Sequence, residues 1–223
     1  GKMTLRSDHA ARIAVAFAAG DTARAWYEAL ALRSDFPGGE RVPQTAPLLR
    51  RPFVLTLGAR GELATLSVPA FQPEVADSTD LTHQFNDFFL KLPAVPLRRS
   101  TEWTDTTRTE ATNAAGMTLR TTRIGSYRVR GDTTVDGTRA VVIEARMRNR
   151  LESSGPSPTP GMKLNALREG TETGTMVFAP GTGRMMRRAR TGTLSGHVEF
   201  VGGPAPVRLP QTMTYESTIE LLP

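Results

Sequence analysis

The chain reads as a mainly β protein, an antiparallel meander forming a strongly curved sheet, sandwich or open barrel with one short helix near 79–92. Three observations predict this. Threonine is abundant, at 29 of 223 residues, beside 20 glycines and 16 prolines, and β-branched residues with turn formers favour many short strands. Apolar residues alternate with polar ones in several stretches, the period of a strand with one wet face. No alternation of strand and helix patterns points to a doubly wound fold. The length suits one β-rich domain over 1–223, with an N-terminal sub-domain 1–92 and a C-terminal meander 93–223 as the alternative division.

In chain order, "ARIAVAFAAGDTARAWYEALALRSD" is rich enough in alanine to pass for two helices. Ile13, Val15 and Phe17 alternate, however, and the stretch is expected to be a hairpin turning at Gly20-Asp21. Two short strands follow around Ala59-Arg60-Gly61. In "STDLTHQFNDFFLKLP" Leu81, Phe85, Phe88, Phe89 and Leu92 form an apolar stripe at helical spacing. Ser78 or Thr79 can cap that helix and Pro93 ends it. Its phenylalanines are expected to plug a mouth or face of the sheet.

Two more strands flank Asn113 to Gly116, and residues 126–150 read as a hairpin at Asp136-Gly137, with Val141, Ile143, Ala145 and Met147 opposing Glu144, Arg146 and Arg148. Strands are expected at about 170–179 and 184–200. In the last, "QTMTYESTIELL", Met213, Tyr215, Ile219 and Leu221 share one side, as in a half-buried strand. Segments 33–52, 152–161 and 202–210 are proline-rich and are expected to be loops.

Composition narrows the chemistry. The absence of cysteine rules out disulfides, thiolate metal sites and cysteine nucleophiles. The longest apolar run, Ile13 to Ala19, is far shorter than the roughly 20 residues of a spanning helix. "GKMTLRSDHA" lacks an apolar signal region, so a secretion signal or anchor is either lacking or upstream of this numbering. His9, His83 and His197 stand far apart and read as structural or solvated. Asp77, Asp80 and Asp87 read as helix-capping and solvated, not as a calcium loop. No GxSxG elbow or Walker sequence occurs, and "GTGRMM" lacks the third glycine of a dinucleotide fingerprint. No catalytic residue, cofactor or metal is therefore expected.

The net charge of +6 comes from 25 arginines and three lysines. In "GTGRMMRRARTG" the glycines suit a hairpin turn, and Arg184, Arg187, Arg188 and Arg190 are candidate partner contacts together with Pro156, Pro158 and Pro160. Counted back from Leu194 and Val198, the strand register puts Arg188 and Arg190 on the apolar side, so a bulge or a protruding strand end is expected there. Reversing Arg187 and Arg188 to glutamate is expected to leave folding intact. Nucleic acid is disfavoured because no aromatic lies between Phe178 and Phe200. A protein partner, an anionic lipid surface or a plain solvated edge fits the charge.

The segment "LKLPAVPLRRSTEWTDT", residues 90–106, followed by hairpins and "GTMVFAPGTGRM", resembles an uncharacterised family of exported bacterial β proteins. In that family a leucine-proline segment, a second proline and Gly-Asp-x-Trp precede a C-terminal meander. Pro93, Pro96 and Trp103 match, and Ser100-Thr101 stands where Gly-Asp is usual. The resemblance implies the periplasm or the periplasmic face of a bacterial membrane. The expected function is a non-catalytic interaction or accessory subunit of a membrane protein assembly. The alternative is a lipid or apolar-ligand carrier whose cavity is lined by Phe85, Phe88, Phe89, Val141, Ile143, Tyr215 and Ile219. A third reading, an enzyme, requires His83 or His197 to meet carboxylates in a pocket.

Overall fold

A computed structural model describes residues 6–18, 21–36, 39–70, 85, 88–112, 116–157 and 161–221. The chain divides into two units, Gly1–Leu90 and Lys91–Pro223. Each is built on an antiparallel sheet, and neither sheet closes into a barrel.

The first unit holds β1 (Arg6–Phe17), β2 (Thr22–Phe36), β3 (Gly39–Arg41), β4 (Phe53–Leu57) and β5 (Leu63–Ser67). The sheet order is β1-β2-β4-β5, with β3 also paired to β2. The segment around Gly20-Asp21 is the expected hairpin and not two helices, since β1 and β2 pair along their whole length. Alanine's helical preference is a fraction of a kcal/mol per residue and yields to burial of an alternating face. On β2 that face carries Ala23, Ala25 and Tyr27, which join Leu32, Leu48, Phe53, Leu55 and Phe85 in one core.

The helix expected over 79–92 falls largely outside the described residues. Where it is described, Phe85 lies in a 3-10 turn, its carbonyl accepting from the Phe88 N–H at 2.9 Å, Phe88 and Phe89 occupy a turn and a bend, and residues 90–92 lie in no regular element. Two of its phenylalanines nevertheless plug a sheet: Phe85 is fully buried, 4.9 Å from Phe53 and 5.9 Å from Phe88 between ring centroids.

The second unit is a six-stranded meander in strict sequence order: β6 (Glu102–Thr112), β7 (Thr118–Val135), β8 (Thr138–Pro156), β9 (Lys163–Ala179), β10 (Arg184–Val201) and β11 (Val207–Glu220). The turn between β7 and β8 places Asp136 at φ 47° and Gly137 at φ 75°. Two consecutive left-handed residues match the right-handed twist of the strands they join. Along β8 the apolar alternation holds as read, with Ile143, Ala145 and Met147 buried and Arg146 and Arg148 exposed.

All three expected loops are shorter than their proline content suggested. β2 runs on to Phe36 and β3 takes in Gly39–Arg41, β8 runs on to Pro156, and β11 begins at Val207 and takes in Pro210. Both prolines lie where strands tolerate them, at an end and on an edge. Glycines of this sheet stand where neighbouring backbone approaches closely. A Cβ on Gly170 would overlap the Thr193 carbonyl, and one on Gly196 the Leu167 carbonyl. Glycine at such positions is what allows long strands to bend.

The segment before β6 is tied down by Trp103, whose indole N–H donates to the Lys91 carbonyl at 3.0 Å. Its ring stacks on Tyr127 with centroids 5.0 Å apart. Ser100 sits at φ 67°, and its N–H donates to the Val129 carbonyl. That left-handed conformation is one glycine adopts without strain.

Candidate functional site

Residues directly opposite on neighbouring strands share a face, and the pairing fixes which side chains meet on the buried face of the second sheet. Gly125, Met147, Glu172, Gly192 and Tyr215 form one row across β7 to β11. Arg123, Asn149, Gly170, Leu194 and Met213 form the next. Small residues in the first row make room for rings. The Tyr215 ring covers Gly192, and the Tyr127 ring covers Gly125, so that a Cβ at either glycine would lie 2.5–2.6 Å from ring or hydroxyl atoms.

A polar seam crosses this face. Tyr215 donates its hydroxyl to Glu172 Oε2 at 2.5 Å and accepts from Asn149 Nδ2 at 3.2 Å. Arg123 Nε donates to Asn149 Oδ1 at 3.0 Å. Arg190 NH1 reaches Glu172 Oε1 at 3.5 Å and its guanidinium lies 6.0 Å from the centre of the Tyr215 ring. The Glu172 side chain is 0% exposed, so these partners stand in for the water its polar atoms have lost. Burial, then the hydrogen bond to Glu172 and its negative charge, push the Tyr215 phenol well above its ordinary range, holding it protonated as the donor. Both carboxylate oxygens are engaged. The seam's chemistry is therefore that of a tie joining β7, β8, β9, β10 and β11.

The opposite face carries a depression of about 510 Å³ lined by Thr171, Thr173, Thr191, Thr193, Thr214 and Glu216 together with Gly192 and Tyr215. It offers hydroxyls and one carboxylate. Among the described residues no group of three or more His, Asp or Glu is placed to hold a metal ion. His197 Nδ1 lies 2.9 Å from the Arg208 guanidinium. His9 lies on exposed β1, its pKa lowered by burial against an opposing pull from Asp8. His83 is outside the described residues.

The candidate contact residues separate. Arg184 is exposed at the start of β10, and Arg187 is exposed and pairs with Glu220 at 3.1 Å. Arg188 is buried, opposite Met176 and Ile219, and Arg190 joins the seam. A register shift does occur, but between Met185 and Arg187, and the inward parity of Arg188 and Arg190 survives it. Pro156 is exposed at the end of β8, while Pro158 and Pro160 lie outside the described residues. Of the residues proposed to line a cavity, Phe85 and Phe88 pack in the core of the first unit. Phe89 is half-buried, and Val141, Ile143, Tyr215 and Ile219 belong to the second sheet.

The edge of the second sheet is the surface that sequence reasoning missed. Among the described residues β11 pairs with β10 alone. The Leu221 N–H donates to the Met186 carbonyl at 2.8 Å, so by alternation the odd-numbered residues of β11 turn their backbone groups to β10 and the even-numbered ones turn theirs outward. Pro210, which has no N–H, falls on the outward set. Val207, Leu209, Met213 and Leu221 are each 38–48% exposed. The apolar alternation of this strand had signalled a half-buried element, and the exposure follows from its having a neighbour on one side only.

No helix among the described residues is long and apolar enough to cross a membrane. No protein-family model, curated protein or solved structure matches the chain.

Proposed function

We propose that this chain is a non-catalytic interaction or accessory subunit that takes a protein partner through the open β11 edge of its second sheet. The observation that carries the reading is that edge itself. Outward backbone donors and acceptors run along a 14-residue strand, beside a row of exposed large apolar side chains. A long edge with apolar side chains invites strand addition, in which the backbone supplies affinity and the alternate side chains supply specificity. The filled interior, with Val129, Ile143 and Leu194 buried and tyrosine rings laid over glycines, favours this reading over a lipid or apolar-ligand carrier.

The setting at the periplasmic face of a bacterial membrane assembly rests on the family resemblance. Two features support it: Ser100 adopts a glycine-like φ where the family has glycine, and Trp103 anchors the leucine-proline segment. A photo-crosslinking side chain at Leu209 or Met213, with Arg148 on the outer face as control, tests the docking strand in intact envelopes. The reading expects a discrete crosslinked protein from the β11 positions and none from Arg148. A chain that crosslinks to nothing at β11, and migrates alone after gentle solubilisation, overturns it.

A further inference from the structure

The outward side of β11 is complementary to itself. Two copies of an antiparallel edge can pair about a two-fold axis, each residue then meeting the one equally far on the other side of the axis. With the axis at Thr214, Arg208 faces Glu220, Pro210 faces Thr218 and Thr212 faces Glu216. On the other face of the same ladder, Val207 meets Leu221, Leu209 meets Ile219 and Met213 meets Tyr215. Each of the four exposed apolar side chains of this strand and its end gains an apolar or aromatic partner. Both ends gain an opposite-charge pair. Moving the axis to Glu216 sets Glu216 against itself, and moving it to Tyr215 places Arg208 beyond Glu220 and pairs Gln211 with Ile219.

Only the even-numbered residues carry outward donors, and the register centred on Thr214 pairs even with even. Pro210 withholds one donor per copy toward Thr218, leaving the central stretch Thr212 to Glu216 able to bond fully. From this charge and apolar complementarity we infer that the occupant of the β11 edge is a second copy of this chain, giving a two-fold dimer with one continuous twelve-stranded sheet. The inference rests on β11 being a docking strand and names its partner.

The chain contains no cysteine, which makes the register directly readable. At a bonded antiparallel pair the Cα atoms lie about 5.5 Å apart, within the roughly 4.4–6.8 Å that a disulfide spans. Purified Thr214→Cys chain should run as a dimer by light scattering and form a disulfide-linked dimer on mild oxidation, while Thr171→Cys, exposed on β9, should not crosslink. Arg208→Glu should raise the dimer dissociation constant roughly tenfold or more, by opposing like charges twice, and adding Glu220→Arg should restore it. A monomer at all concentrations, a larger head-to-tail species, or a dimer that does not crosslink at position 214 overturns the inference. If the purified chain is a monomer while a crosslinker at Leu209 still captures a different protein, the dimer falls and the docking strand stands.

Discussion

Tyr215 on β11 donates its hydroxyl to Glu172 on β9 at 2.5 Å, reaching across Gly192 on the strand between them. One side chain thus holds the edge strand to a partner two strands away. Removing only the hydroxyl, with Tyr215→Phe, leaves the ring over Gly192 but takes a donor from a buried carboxylate and an acceptor from Asn149. The expected loss is about 1–3 kcal/mol of unfolding free energy. Denaturant titration checks it, and a cost indistinguishable from zero means that the seam does not hold β11.

The same phenol dictates an alkaline limit. Tyr215 and Tyr27 both have pKa values raised above the unfolded value near 10, Tyr27 by burial and Tyr215 by burial and then by Glu172. A raised folded pKa means that the folded state holds the proton more tightly. The associated stability is complete below the unfolded pKa and is lost as pH rises toward and through the folded one. Stability should therefore fall above about pH 10, and Tyr27→Phe or Tyr215→Phe should each flatten the decline. Denaturation midpoints followed alongside tyrosinate absorbance measure both.

The glycines of the second sheet should rank by what lies above them. An alanine Cβ at Gly170 meets the Thr193 backbone, whereas at Gly192 it meets the Tyr215 ring at 2.6 Å, and at Gly131 nothing lies within 4 Å. Backbone cannot move aside as a side chain can, so Gly170→Ala should cost more than about 3 kcal/mol and Gly192→Ala about 1–3 kcal/mol. Gly131→Ala should be neutral or slightly stabilising, because the substitution restricts the unfolded chain. Thermal melts of the three variants give the order, and equal shifts would remove close approach as the reason for glycine at these positions.

Much of this architecture is legible because period-2 patterning and turn chemistry are local. The Asp136-Gly137 hairpin needs nothing else, whereas the alanine-rich β1–β2 hairpin also draws on the rest of the sheet needing partners. Strand ends were less legible, because Pro156 and Pro210 look like loop residues until their position on an edge or at a terminus is known. The seam was hidden for a different reason. In "REGTETGTMVF" polar residues occupy both parities, so Glu172 reads as one more wet residue, although it shares parity with Ala166, Met176 and Phe178. Asn149 likewise continues the inward series of Ala145 and Met147. Parity carried through a whole strand, with polar residues kept in the count, was the available signal. What no single strand could supply was register, which alone brings positions 123, 149, 172, 190 and 215 together.

Register also separates two neighbouring arginines that composition treats alike. Arg187 is exposed and meets Glu220 on the outer face, so Arg187→Glu should leave folding essentially unchanged, since exposed pairs contribute little. Arg188 is 4% exposed and stands opposite Met176 and Ile219. Arg188→Glu places a carboxylate on that buried face and should cost about 3–5 kcal/mol. The two reversals, expected alike from the sequence, are therefore predicted to differ. Chemical denaturation of the two single variants decides it: a tolerated Arg188→Glu would mean that β10 carries this residue outward and that the bulge between Met185 and Arg187 resets the parity of the strand.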